Sequence, residues 1–114
     1  MDSVSTVTDD QMREMLQTLK PYTMVILRKT ERMNEPGTER IIWEHGRRNF
    51  ELRARGSLAI VCPVRDGSDV AGLCIFTTNP EETRTIMDGD PGVESGVLSY
   101  EIHPTKGFPG SALP

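Results

Sequence analysis

The chain has 114 residues, of which 36% are hydrophobic and 26% charged, with a formal net charge of -4. That suits one soluble domain with a modest core, and it excludes a sequence-blind nucleic-acid binder, which needs clustered, unpaired Lys and Arg. No apolar run approaches the roughly 20 residues of a membrane crossing, and the polar, acidic start has no leader pattern. Cys62 and Cys74 lack metal-type spacing. The expectation is therefore a cytoplasmic protein with reduced thiols, no metal, no cofactor and no membrane or nucleic-acid partner.

Residues 1–7 are small and polar, as expected of an unstructured start. Thr8-Asp9-Asp10-Gln11 has the form of a capping box, with two carboxylates at the positive end of a helix dipole. Met12, Met15, Leu16 and Leu19 follow at helical spacing, and Pro21 is the expected stop. One apolar stripe implies that this helix docks on the main fold. Residues 1–21 thus form an extension, 22–103 the domain, and 104–114 a tail.

Tyr22 to Arg28 is rich in β-branched residues and reads as a strand. Lys29 to Gly37 is polar, with Asn34, Pro36 and Gly37, and reads as a loop. An amphipathic helix follows, from about Pro36–Thr38 to a stop at Gly56. Ile42, His45, Asn49 and Leu52 form one stripe, and Trp43, Gly46, Phe50 and Ala54 a neighbouring one. Together they predict a broad buried face, apolar except at His45 and Asn49. Glu44 with Arg48, Arg47 with Glu51, and Glu51 with Arg55 predict i,i+4 ion pairs on the opposite face.

Leu58 to Val64 and Gly72 to Thr77 read as strands around the turn Arg65–Asp69. Counting outward from that turn sets Cys62 opposite Cys74. Asn79-Pro80-Glu81-Glu82 starts a second helix, with Asn79 as N-cap and Pro80 at N1. It carries Ile86 and Met87 inward, and Asp90-Pro91-Gly92 forms a turn. Gly96 to His103 reads as the last strand. His103 before Pro104 is expected at the surface, and the Gly- and Pro-containing tail is irregular, pinned by Phe108.

Without the first helix the order is β-α-β-β-α-β, so the predicted fold is α+β, a ferredoxin-like sandwich with an extra N-terminal helix. Both faces of the predicted sheet are apolar: Met24 and Ile26 alternate with Val25 and Leu27, and Leu58, Ile60 and Cys62 with Ala59 and Val61. An antiparallel sheet with a solvated face alternates apolar with polar. A cover is expected, from the first helix in part and from a second subunit, hence a homodimer with sheets face to face.

The ionisable candidates for chemistry are His45, His103, Asp90, Cys62 and Cys74, with Asn49 beside His45 on its stripe. No phosphate loop, dinucleotide fingerprint or Ser-His-Asp order is present. In a βαββαβ fold the first crossover helix packs near the loop entering the fourth strand, which brings Asp90 toward His45. A carboxylate beside an imidazole sets its tautomer for general-base work.

His45, Gly56-Ser57-Leu58, Cys62-Pro63-Val64 and Met87-Asp88-Gly89-Asp90-Pro91-Gly92-Val93 are the stretches through which the chain resembles the YCII-related domain family, over about Tyr22 to His103. The resemblance implies a dimeric α/β barrel with a His45–Asp90 site. It assigns no common reaction, since most members have no established activity; a related member is a dehydrochlorinase acting on a chlorinated hydroxyquinol. Cys62 stands where the family usually carries Gly, and the N-terminal helix and the Lys106–Gly110 stretch are additions. Two functions follow. One is an enzyme using His45 and Asp90 for acid–base chemistry of lyase, isomerase or hydrolase type on a small organic substrate, with Asn49, Cys62 and Pro63 lining the pocket. The other is a non-catalytic dimeric module that binds a small ligand or a protein, with His45 structural.

Overall fold

The computed structural model describes residues 6–114; the expected unstructured start falls for the most part outside that range. The chain is α+β, with a four-stranded antiparallel sheet in the order β2-β3-β1-β4, compatible with the ferredoxin-like pattern. The strands are β1 (Lys20–Lys29), β2 (Leu58–Pro63), β3 (Val70–Phe76) and β4 (Leu98–Gly107). The helices are α1 (Asp9–Leu16), α2 (Thr38–Ala54), α3 (Pro80–Asp88) and the single turn α4 (Pro91–Glu94). A 3-10 helix at Glu31–Asn34 shapes the loop after β1.

Local chemistry explains the helix ends. Thr8 caps α1 through a reciprocal pair with Gln11, and Gly56 ends α2 in the left-handed region at φ 81. Asn79 Oδ1 accepts from Glu82 N at 2.8 Å while Glu82 Oε1 accepts from Asn79 N at 3.1 Å.

The core lies between the sheet and α2, α3 and α4. Val25, Leu27, Leu58, Cys74, Phe76 and Leu98 from the sheet meet Leu52 of α2 and Met87 of α3. Full burial of one such aliphatic or aromatic side chain stabilises the fold by about 2 kcal/mol. On the other face Met24, Ile26, Ile60, Leu73 and Ile75 are half-buried.

Several sequence expectations are corrected. No residue of α1 is buried, so the stripe of Met12, Met15 and Leu16 does not dock on its own domain. The strands β1 and β4 run further than expected, pairing Lys20 with Gly107 and Thr23 with Pro104. Pro21 is tolerated because β3 begins to pair only at Thr23, leaving β1 with one neighbour there, and Pro104 sits on an edge strand; a missing N–H costs little at such places. Phe108 follows the strand and is exposed rather than pinned. In β2 an irregularity between Leu58 and Ile60 breaks the simple alternation. Leu58 and Val61 pair with the core residues Phe76 and Cys74, while Ile60 and Cys62 pair with Ile75 and Leu73 on the outer face. Cys62 and Cys74 are therefore not opposite each other.

Both halves of the Asn79–Glu82 box are formed, so Asn79→Ala is expected to destabilise the protein by about 1 kcal/mol. Paired thermal melts should show the drop; an unchanged melting temperature would mean that the box contributes nothing to α3.

Candidate functional site

His45 sits midway along α2, on the stripe that ends in the buried Leu52, and so faces inward. Asp90 follows the C-cap of α3 and is itself the N-cap of α4. Its Oδ2 accepts from Gly92 N at 2.9 Å and from Val93 N at 3.3 Å. Its Oδ1 lies 2.7 Å from His45 Nδ1. The carboxylate is 1% exposed and the imidazole 14%. An acceptor-only group thus meets three donors in a dry setting, which requires the His45 proton on Nδ1. Asn49, one turn on, sets its Nδ2 at 3.3 Å from His45 Nε2, a long contact that suits an amide N–H donating to an unprotonated ring nitrogen.

Gly92 permits this packing. A Cβ there would lie 2.5 Å from Leu98 Cδ1 and 3.0 Å from Asp90 Oδ2, so a side chain would push on both the core and the carboxylate. The expected Asp90-Pro91-Gly92 turn is the first turn of α4, with Asp90 capping it.

A cavity of about 450 Å³ opens beside His45 between α2 and the sheet. His45 and Asn49 line it, with walls from Leu27, Ile42, Val61 and Leu98. Cys62 and Pro63 also border it, although the strand register aims the Cys62 side chain at the outer face. Cys74, buried on the core face of β3, also lines the cavity. Burial, and then the nearby Asp90 charge, push the Cys74 thiol up to about 12, so it is a protonated apolar wall at neutral pH rather than a nucleophile. Lys29 and Arg65, which the sequence did not single out, also line the cavity. Nothing in local sequence marks them; only the fold gathers the ends of β1 and β2.

The second α2 stripe does not behave as expected. Trp43 is 68% exposed and Phe50 67%. The three expected ion pairs give way to others: Glu44 pairs with Arg47 one turn on at 3.2 Å and with Arg40 one turn back at 4.0 Å. Arg48 is drawn to Gly89, the C-cap of α3, where a Cβ would lie 3.1 Å from its Nη2. Its buried Nη1 has no hydrogen-bond partner among the described residues. A cation at a helix C-terminus is favoured by the helix dipole, which offsets part of that cost. His103 lies apart from the site, exposed and 2.9 Å from Glu101 on the outer face. The His103 ring, and then the Arg28 guanidinium, hold the Glu101 carboxyl below its ordinary range.

No family model matches the chain, and no curated protein matches it. Among the described residues no group of three His, Cys, Asp or Glu side chains is placed to hold a metal ion, and no helix is long and apolar enough to cross a membrane.

The tautomer is directly measurable. Nitrogen-15 NMR of the neutral ring should find the His45 proton on Nδ1. Asp90→Asn keeps a capping residue but offers an amide N–H to Nδ1, and the proton should move to Nε2. The same tautomer in both proteins would contradict the 2.7 Å bond as described.

Proposed function

We propose that this chain is a YCII-like enzyme in which His45 and Asp90 carry out general acid–base chemistry on a small organic substrate. The observation that carries the reading is the His45–Asp90 pair, 2.7 Å apart, with His45 in the wall of a mostly apolar cavity and Asp90 buried behind it. Asp90 binds Nδ1, which leaves Nε2 as the proton acceptor, and low exposure strengthens the interaction. Nε2 takes a proton from the substrate and returns it to a leaving group or to the product carbon, as elimination or isomerisation requires. Asn49 would have to yield its contact with Nε2 to the substrate.

The cavity favours a particular substrate class. Its walls are mostly apolar, and its charged side chains, Lys29 and Arg65, are both cationic, in a chain of net charge -4. Of the nearby carboxylates, Asp69 pairs with Arg28, and Asp66 accepts from Ser68 N and only secondarily feels the Lys29 charge. A small apolar or aromatic molecule bearing a carboxylate or phenolate fits this arrangement, with the anion at the cations and a reactive C–H or O–H at His45. The volume lies within the range of small-molecule pockets.

The protein works as a homodimer in this reading, its two sheets face to face in a barrel. Support comes from the half-buried outer row of Met24, Ile26, Ile60, Leu73 and Ile75, which no residue of α1 covers. The cytoplasm, with both thiols reduced, is the proposed compartment. A non-catalytic binding module is the second reading, favoured by one observation: Asp90 already has a structural task as the cap of α4.

Proton exchange separates the two. Acetoacetate and benzoylacetate are anionic carbon acids, and their α-proton exchange in heavy water is visible by proton NMR. The enzyme reading expects acceleration by the protein and a loss on the order of 100-fold in His45→Asn. No acceleration, or equal acceleration by the variant, would contradict it and leave the binding module.

A further inference from the structure

Two glycines line the cavity beside His45, Gly46 of α2 and Gly72 of β3. Gly72 has a reason within the chain, because a Cβ there would lie 3.1 Å from the Cys62 carbonyl oxygen. Gly46 has none. Its φ is not positive, so its backbone is one that any residue adopts. A Cβ on it would meet nothing within 4 Å, so no neighbour in the chain needs the space. Helix preference opposes it, since a glycine in a helix interior is less favourable than an alanine.

The place of Gly46 in the cavity wall gives the missing side chain a consequence. Ile42, Gly46 and Phe50 stand at i, i+4 and i+8 and so form one row along α2. All three border both the His45 cavity and a second hollow beyond the row. The side chains of Ile42 and Phe50 raise that row, and Gly46 is the gap in it. The gap adjoins His45 directly in the chain.

We propose that Gly46 is a specificity-determining residue whose gap receives the apolar end of the substrate. The inference rests on the reading of the cavity as a substrate site, and it fixes which way round the substrate lies. Lys29 and Arg65 come from the strand side of the cavity, so the anionic end belongs there. The reactive C–H or O–H lies at His45. The remaining end meets α2 where the row is open, and a flat ring rests there on bare helix backbone. Glycine is the residue that permits so close an approach. The substrate class narrows accordingly, to a small anion with a planar aromatic group beside its reactive centre.

Acetoacetate and benzoylacetate share the anion and the reactive carbon and differ by methyl against phenyl. Their dissociation constants, from NMR titrations of the protein, test the gap in the intact protein, Gly46→Ala and Gly46→Leu. The intact protein should prefer benzoylacetate by on the order of 10-fold. Gly46→Ala should narrow that preference and Gly46→Leu should abolish it, by weakening benzoylacetate alone. Gly46→Ala should also melt at a higher temperature than the intact protein, which separates lost binding from lost folding.

A preference that survives Gly46→Leu would overturn the proposal, as would an equal loss of both ligands or an intact protein that binds neither or prefers neither. So would a change of mass by light scattering in either variant, since a second copy of the chain would then be what needs the space. Affinity is read here and not exchange. A protein that binds benzoylacetate through the gap without accelerating its exchange contradicts the acid–base reading alone, and one that accelerates exchange with no phenyl preference contradicts the gap alone.

Discussion

The site depends on one carboxylate with two uses. Asp90 closes the first turn of α4 through Gly92 and Val93 and holds the His45 ring through its other oxygen. Buried carboxylates persist only when their acceptor capacity is filled, and here no single partner fills it. The backbone donors come from the α3–α4 junction and the ring from α2, so the carboxylate also ties that junction to α2. Gly92 is the space this link requires, because a side chain would strike Leu98 in the core.

The same link orients the chemistry. A ring bound at Nδ1 has one nitrogen left, and the stripe that buries Leu52 turns the ring toward a cavity rather than into solvent. The cavity exists because α2 rests on the sheet through Leu52, while Ile42 and Gly46, nearer its start, leave room above Leu27 and Val61. Lys29 and Arg65 then add positive charge from the ends of β1 and β2. Cys74, close enough for the Asp90 charge to act on its thiol, stays protonated and contributes shape.

Much of this was legible in the residues. The β-branched runs, the Asn79-Pro80 helix start and the Gly56 stop each have a local cause, and the structure has those elements at those places. His45 and Asn49 stood out because they were polar on an apolar stripe, and Asp90 because the topology brings its loop to α2. Other features depended on tertiary context. Pro21 and Pro104 read as breaks, yet they lie where a strand lacks one neighbour. Trp43 and Phe50 read as core by spacing, but the sheet occupies only one side of α2. The Arg48 position depends on the α3 C-terminus, which no i,i+4 rule can see. A bulge in β2 moved Cys62 across the sheet, because a one-residue slip reverses the facing of every later side chain.

The direct measure of the Asp90 link is a double-mutant cycle in chemical denaturation, using His45→Ala, Asp90→Ala and the double variant. Each single variant loses other contacts, including the α4 cap, but the cycle isolates the pair. A coupling energy of about 1–3 kcal/mol is expected for a buried, charge-assisted hydrogen bond. Additive losses, with coupling within about 0.3 kcal/mol of zero, would contradict the claim that Asp90 holds His45.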